Sequence, residues 1–245
     1  MRLQEFIQQT CQLSSRRARQ KIAQGLVSVD GDCVRNGNYL VDPAWHRIQL
    51  GGQDLPSRLG HQNYLFYKPV GLVSARRDDR YATIFDALPA ELQDLNLSIV
   101  GRLDRDAQGL ILLTNNGQLH YLLENPRFQM AKTYRVRVNG PLDDQDVAAF
   151  AEGIIWSDGY VCQPAQLLIE EVGRQASQAC LTIYEGKRHQ IKKMFLARGV
   201  KVTRLERLAI GPLSLDRQPL QEGHYRELTV GEVSDLKALF KRVQR

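Results

Sequence analysis

The sequence predicts an α+β protein in which a small amino-terminal domain precedes a larger domain built on a mixed, largely antiparallel sheet. Short apolar and polar alternations recur along the larger part, as in KTYRVRVNG at 132–140, and indicate strands with one wet face. These strand patterns are joined both by turns and by helical patterns. The stretch GGQDLPSRLGHQN at 51–63 contains glycines and a proline, has no periodicity, and is interpreted as a linker. We therefore expect two domains, at 1–59 including the linker and at 60–245.

The first fifty residues predict two helices followed by a hairpin. Apolar residues at helical spacing begin at Leu3, and Ser14 and Ser15 are both placed to cap a second helix that Gly25 ends. In VSVDGDCV the valines alternate with polar residues around Asp30 and Gly31. An Asp-Gly pair supplies the positive φ angles of a two-residue hairpin turn, so this segment is a specific hairpin prediction.

The larger domain predicts strands and helices in alternation. YLFYKPVG at 64–71 is a buried strand broken by its proline and glycine, and TIFDALPAEL at 83–92 suggests a short helix stopped at Pro89. The remaining patterns are buried or alternating strands at 109–114, 132–138, 178–183 and 201–215, and helices at 145–153, 187–199 and 232–240.

Composition excludes several classes of protein. The 245 residues carry a formal net charge of +6, no stretch is apolar enough for a membrane span, and the amino terminus lacks the apolar run of a signal peptide. We therefore expect a cytoplasmic protein. No CxxC pair is formed by its four cysteines, Cys11, Cys33, Cys162 and Cys180, so we interpret all four as reduced packing residues. The five histidines are scattered, and no metal site is predicted.

Basic residues cluster in two places. The second predicted helix carries four cations and no acid within six positions, namely Arg16, Arg17, Arg19 and Lys21. Such a run is usually a solvated helix face, but it also suits contact with phosphates. The segment 186–207 holds eight basic residues against Glu206 alone, namely Lys187, Arg188, Lys192, Lys193, Arg198, Lys201, Arg204 and Arg207.

The segment GRLDRDAQGLILLTNNG at 101–117 places Asp104 on the loop that enters a buried strand, and its last residues are expected to form a turn. Three interpretations are open for this carboxylate. Asp104 and Asp106 can simply cap a turn and pair with neighbouring arginines. They can act as an acid and base pair or as ligands of a divalent ion, although sequence neighbours rarely flank a bond from opposite sides. Alternatively, Asp104 alone is a nucleophile toward a nucleotide held by the basic surface.

Resemblance to a known family favours the third interpretation. The amino-terminal segment SSRRARQKIAQGLVSVDGDCV resembles the alpha-L RNA-binding module first described in a ribosomal protein. YKPVG, GRLDRDAQGLILLTNNG, KTY and EGKRHQIKKMF, followed by LERLAIGPLSL, resemble in that order the pseudouridine synthases of the RsuA type. The similarity extends over essentially the whole chain. It implies conversion of a uridine in RNA to its C-glycoside isomer without a cofactor.

The resemblance also implies roles for individual residues. The aspartate of the GRLD motif is Asp104, the nucleophile. Tyr134 of KTY is expected to stack on the extruded uracil, and Lys192 is expected to pair with the aspartate. Arg102 is expected to probe the RNA helix and to help hold the target base out of it. Further RNA contacts are expected from the two basic clusters, at Arg16, Arg17, Arg19, Lys21, Lys187, Arg188 and Lys193.

Together these observations predict a monomeric rRNA pseudouridine synthase that acts on ribosomal RNA or on an assembling ribosomal particle. Small-subunit rRNA is favoured because the short chain without long tails is most similar to the RsuA branch, with large-subunit rRNA as the alternative. The competing hypotheses are a non-catalytic RNA-binding or ribosome-assembly factor on the same fold and, third, a metal-dependent hydrolase.

Overall fold

A computed structural model describes residues 1–56 and 61–242 of the chain. The chain forms two compact units, one made of the described residues of Met1–Gln62 and Thr229–Arg245, the other of Asn63–Leu228. The predicted boundary at residues 59 and 60 lies outside the described residues, so the division at that point stays a prediction. The residues after Thr229 group with the first unit, whereas the sequence assigned them to the larger domain, because periodicity reveals an apolar helix face but not the core that covers it.

Helices and strands alternate along both units. The helices are α1 (Leu3–Thr10), α2 (Ser15–Ala23), α3 (Ala90–Gln93), α4 (Gly117–Glu124), α5 (Asp144–Glu152), α6 (Gln190–Ala197) and α7 (Val230–Arg242). The strands are β1 (Val27–Val29), β2 (Asp32–Cys33), β3 (Ile48–Leu50), β4 (Gln53–Asp54), β5 (Asn63–Lys68), β6 (Ser98–Val100), β7 (Gln108–Thr114), β8 (Lys132–Val138), β9 (Gln166–Glu171), β10 (Ser177–Ile183), β11 (Val202–Ile210), β12 (Leu213–Ser214) and β13 (Tyr225–Glu227). The α+β prediction is confirmed.

In the first unit, α1 and α2 pack with an antiparallel sheet of order β2-β1-β3-β4. Ser14 caps α2 as predicted, and Asp30 and Gly31 have φ angles of 50° and 90°, which confirms the predicted hairpin turn. A second turn at Gly51 and Gly52, with φ angles of 58° and 81°, joins β3 to β4. The prediction of a linker from 51 is therefore wrong for residues 51–54, because paired glycines form a hairpin turn as readily as they interrupt structure.

The second unit is built on a sheet whose strands follow the order β13-β5-β7-β11-β8-β10-β9, with β12 on β11 and β6 on β7. All neighbouring pairs are antiparallel except β7 and β11, which run parallel. Gly109 makes that pairing possible, because a Cβ there would collide with the Arg207 backbone. This junction brings the start of β7 beside β11, and β11 in turn pairs Arg207 with Tyr134 on β8.

Two predicted features of this unit are wrong. α3 begins after Pro89 rather than ending there, since proline fixes a φ angle suited to a helix start. The predicted turn at 115–117 begins α4 instead, and the Asn116 carboxamide oxygen caps it by accepting from the Gln118 and Leu119 amides. A short polar turn and a capped helix start use the same residue types, so the pattern alone did not separate them.

The four cysteines are free. Cys162 is buried, and that burial, with the nearby Glu185 charge, raises the pKa of its thiol to about 11. Cys11 and Cys180 are half-buried, but Cys33 is exposed on the short edge strand β2, so its interpretation as a packing residue is wrong.

Candidate active site

Asp104 lies on the loop between β6 and β7, which we call the 101–107 loop. All seven residues of β7 are buried, so the carboxyl end of the loop is held by the middle of the sheet. The Ala107 amide donates to the Asp104 carbonyl oxygen at 3.1 Å and closes the loop into a turn. The Asp104 side chain is one-third exposed. It is therefore only partly withdrawn from solvent.

Side chains from elsewhere in the unit fasten the backbone of this loop. The Ser74 hydroxyl donates to the Leu103 carbonyl oxygen at 2.8 Å and accepts from the Leu103 amide at 3.0 Å. The Gly71 amide donates to the Arg105 carbonyl oxygen at 2.8 Å. The residues on either side of Asp104, Leu103 and Arg105, are thus held by the segment that follows β5.

Arg207 and Glu124 hold the other end of the loop. The fully buried Arg207 guanidinium donates to the Gly101 carbonyl oxygen and, at 2.6 and 2.8 Å, to that of Leu110. The Glu124 carboxylate accepts from the Gly101 amide. Gly101 has a φ angle of 75°, and a Cβ there would lie 2.8 Å from the guanidinium, so glycine is required.

Lys68 is a buried cation directly beneath the loop. Its ammonium donates to the carbonyl oxygens of Ala107 at 2.7 Å, Pro69 at 2.9 Å and Arg105 at 3.4 Å. Burial lowers the pKa of Lys68 to about 8, although the charges of Asp106 and Asp104 partly oppose that shift. The carbonyl contacts and the two carboxylates therefore stabilise a positive charge that burial disfavours.

Lys192, on α6, reaches the aspartates across the sheet. Its ammonium lies 3.0 Å from Asp104 Oδ2 and 2.6 Å from Asp106 Oδ1. Burial alone would lower the pKa of Lys192, but the bonds to Asp106 and Asp104 outweigh burial and raise it. Likewise, burial would raise the pKa of Asp106, but the Lys192 ammonium holds it below its usual value. His189, which starts α6 at a φ angle of 54°, places Nε2 3.6 Å from Asp104 Oδ1.

A cavity of about 610 Å³ lies beside Asp104, Lys192 and His189. Asp104, Tyr134 and Lys192 all line it, so the structure brings together the three residues for which catalytic roles were predicted. Tyr134 is buried, and its ring centroid lies 6.0 Å from the Arg207 guanidinium carbon. Glu124 also lines the cavity. A cavity of this size, with one aromatic wall and a paired carboxylate, has room for a single nucleotide.

The predicted RNA contacts fall into three groups. Arg102, Lys187 and Arg188 are exposed and line the cavity. Lys193 is exposed on α6 and is not among the lining residues. The remaining four lie on α2 in the first unit, where Arg16, Arg17 and Arg19 are exposed and Lys21 is half-buried. Arg207 belongs to the second basic cluster in sequence but is buried, so that cluster is not one continuous surface.

Comparison with known proteins decides the family. Residues 62–197 match the model of the RNA pseudouridylate synthase family, and residues 1–44 match the S4 domain. The chain belongs to the RNA pseudouridylate synthase family. It is therefore an RNA pseudouridine synthase, an isomerase, with an amino-terminal S4 domain, which confirms the family inferred from the motifs.

Named synthases are similar over nearly their full length. The chain is 39% identical to ribosomal small subunit pseudouridine synthase A of Pseudomonas aeruginosa, over 95% of this chain and 99% of that protein. It is 34% identical to the Escherichia coli K12 protein of the same name, over 96% and 100% of the two chains. A crystal structure of a pseudouridylate synthase matches with a TM-score of 0.66 and 34% identity, over 96% of this chain and 99% of that one.

Sequence reasoning missed several residues that shape this pseudouridine synthase site. Lys68, Ser74 and Arg207 each fasten the 101–107 loop, yet none was assigned a role there. Lys68 belongs to the YKPVG motif, and a lysine inside a buried strand was a signal that it must serve backbone acceptors. Asp106 was treated as an alternative acid, whereas it is the nearer partner of Lys192.

Metal-binding clusters and membrane-spanning helices are both absent from the described part of the chain. Residues 1–56 and 61–242 contain no group of three or more His, Cys, Asp or Glu side chains arranged to hold a metal ion. Within the same ranges, none of the helices is both long and apolar enough to cross a membrane.

Proposed function

We propose that this pseudouridine synthase modifies a uridine of small-subunit ribosomal RNA, with Asp104 as the nucleophile. The observation that supports these roles is the meeting of Asp104, Lys192 and Tyr134 on one nucleotide-sized cavity. The small-subunit target is supported by the names of the relatives in Pseudomonas aeruginosa and Escherichia coli, which match over nearly their full length.

The chemistry of the isomerisation assigns a task to each group. The bond between N1 and the ribose C1′ breaks, the uracil turns, and C5 joins C1′. C5 loses its proton and N1 gains one, so atoms balance without an oxidant or a cofactor. The Asp104 carboxylate is the nucleophile, and it forms a transient bond to the ribose or to the uracil while the ring turns. Lys192 places a positive charge 3.0 Å from that carboxylate, and Tyr134 provides the wall against which the uracil is held.

The fastening of the 101–107 loop supports this assignment. A nucleophile must stay within a few tenths of an ångström of its target geometry through two bond changes. Hydrogen bonds from Ser74 and Arg207 hold the peptides around Asp104, so the side chain is positioned before RNA binds. Preorganisation of this kind lowers the barrier without any reorganisation during the reaction.

We further propose that Arg102 holds the target base outside the RNA helix and that the cations of α2 anchor flanking RNA. Arg102 follows the fastened Gly101, and its exposed side chain lines the cavity. Extrusion of a base costs a few kcal/mol, which phosphate contacts elsewhere can offset. We place this reaction in the cytoplasm, with a monomer acting on ribosomal RNA or an assembling particle.

Tritium release tests the proposal. Small-subunit and large-subunit rRNA transcripts labelled with tritium at uridine C5 are incubated with the protein, with EDTA present. We expect release from the small-subunit transcript or its assembling particle, and none after Asp104→Asn. Equal release by Asp104→Asn would remove the nucleophile assignment. Release from large-subunit RNA alone would show that large-subunit rRNA is the substrate. No release from any RNA or particle would favour a non-catalytic RNA-binding factor.

A further inference from the structure

A hairpin beside the cavity, at residues 155–161, has no assigned role. Ile155 bridges Val161, the Trp156 amide donates to the Tyr160 carbonyl oxygen at 2.9 Å, and Gly159 turns the chain at a φ angle of 83°. We call this segment the 155–161 hairpin. It lies between α5 and β9, and its sequence IWSDGYV places two aromatic residues next to the turn.

The two aromatic rings and two lysines form a ladder. The ring centroids of Trp156 and Tyr160 are 4.7 Å apart. The Lys193 ammonium lies 4.1 Å from the Trp156 centroid, and the Lys187 ammonium lies 5.5 Å from that of Tyr160. Each ring thus has the other aromatic ring and one lysine as close neighbours, and cation–π attraction restrains both lysine side chains.

Glu185 anchors this ladder to the loop that leads into α6. The buried Glu185 carboxylate accepts from the Tyr160 hydroxyl at 2.7 Å, the Gln163 amide at 3.1 Å and the Gln190 side chain at 2.7 Å. The Gln190 carboxamide oxygen in turn accepts from the Lys187 amide at 2.9 Å. The backbone of Lys187 and the ring beside its side chain are therefore tied to one buried acceptor.

The ladder begins at the cavity wall and ends outside it. Tyr160 and Lys187 line the cavity, whereas Lys193 at the far end is exposed and does not. Trp156 is not among the lining residues, and Tyr160 and Lys193 lie close to its ring, so the ring is not offered to a base. The chemistry offered to a ligand is therefore a pair of oriented ammonium groups. An ammonium is a compact charge suited to a phosphate oxygen.

We propose that the 155–161 hairpin is an RNA-recognition element whose two adjacent rings orient Lys187 and Lys193 toward the phosphodiester backbone flanking the target nucleotide. The proposal rests on the proposed function, since the cavity must hold that nucleotide. Lys193 also lies 3.8 Å from Asp158, but both groups are well exposed. An exposed pair of this kind contributes less than about 1 kcal/mol, so a phosphate can displace it. Trp156 and Tyr160 are positioning residues here.

The salt dependence of RNA binding tests the lysines. Affinity for the small-subunit rRNA transcript is measured by filter binding across a range of KCl concentrations. Each phosphate contact contributes a slope of about 0.7–0.9 to log K against log salt, so Lys187→Met with Lys193→Met should flatten the slope by about 1.5. Lys201→Met, an exposed lysine outside the cavity lining, is the matched control and should leave the slope unchanged.

The positioning role is tested by a change that removes no charge. Trp156→Leu should flatten the slope by at least half as much as the double lysine change, and Trp156→Phe, which keeps a ring, should restore it. Thermal melting followed by circular dichroism checks that each variant is folded. If Trp156→Leu does not fold, Tyr160→Leu takes its place with the same expectation.

Two outcomes would overturn the proposal: an unchanged slope in the double lysine variant, or an unchanged slope in a folded variant that lacks the ring. Both are binding measurements that need no turnover. Failure of the proposed function would instead be seen as absent tritium release by the unaltered protein, so the two failures are distinguishable.

Discussion

The 101–107 loop and helix α2 both carry charged side chains, but they differ in how firmly the surrounding structure holds them. The loop is held by buried polar groups from Lys68, Ser74 and Arg207, which reach its peptides from distant positions in the sequence. The arginines of α2 are exposed, and the helix buries only Ala18 and Ile22. The backbone of the 101–107 loop is held in one geometry, whereas α2 presents a cluster of exposed positive charges.

The proposed roles of the two regions account for the difference. A reacting carboxylate loses its effect when displaced by about an ångström, so its supports are individually important. Attraction of an RNA backbone depends on summed charge and tolerates side chains that move. Substitutions in the loop and its supports should therefore act strongly and on turnover, whereas those on α2 should act weakly and on affinity.

The largest effect is expected at Lys192. Lys192→Met leaves Asp104 and Asp106 without their shared cation. Because the three side chains are partly exposed, the loss should be smaller than the roughly 3 kcal/mol of a fully buried pair, at about 2 kcal/mol, or roughly 30-fold in kcat. Single-turnover tritium release at saturating RNA measures this loss, with Lys201→Met as the control. A kcat within twofold of the unaltered protein would show that the aspartate does not depend on this counter-ion.

The next effect is a dependence of stability on pH from Lys68. Its folded pKa of about 8 lies below the ordinary value of 10.5, so the unfolded chain binds more protons between these values. Stability contributed by this group therefore rises with pH across that window, by about 2 kcal/mol from pH 8 to 10. Urea unfolding at several pH values should show this rise in the unaltered protein relative to Lys68→Met.

The stability of Lys68→Met must be subtracted from that of the unaltered protein because other groups titrate above pH 10. Burial first, and then the bond to Glu206, raises the pKa of Tyr67 to about 12, so this tyrosine lowers stability as pH rises beyond 10. Both proteins share that contribution, and their difference isolates Lys68. Parallel curves for the two proteins would contradict a shifted lysine beneath the loop.

Ser74→Ala should have an intermediate effect. It leaves the buried Leu103 amide and carbonyl without the hydroxyl, which costs about 1–3 kcal/mol. Part of this cost should be seen as a roughly tenfold lower kcat with little change in the affinity for RNA, because Asp104 loses its fixed position. The control is Ser98→Ala, which alters an exposed serine on β6. A change in affinity with kcat preserved would contradict the interpretation that the Ser74 hydroxyl positions Asp104.

The smallest effect per residue is expected on α2. Arg16→Glu with Arg19→Glu should weaken binding to rRNA by about 1 kcal/mol per position and flatten its dependence on salt, while the melting temperature stays the same. Arg174→Glu makes the same charge change at an exposed site in the second unit and serves as the control. Should the double variant keep the original salt slope, the S4 domain would not be the anchor for flanking RNA.

Local patterns in the sequence determined much of this protein. The Asp-Gly turn, the cap at Ser14 and the helices α5 and α6 depend on neighbours within a few residues, and each was predicted. The buried run of β7 also predicted that Asp104 stands at the entrance to the sheet. The order of the motifs along the chain was specific enough to identify the family.

Only the tertiary structure decided how the 101–107 loop is supported. Arg207 meets Gly101 across 106 positions of sequence, and Ser74 meets Leu103 across 29. The Arg207 contact depends on the parallel register of β7 and β11, which the close approach at Gly109 permits. Periodicity reports which face of an element is buried, but it does not report which remote carbonyl a buried cation will meet. For that reason Arg207 was counted among surface charges, although it lies in the interior beneath the active-site loop.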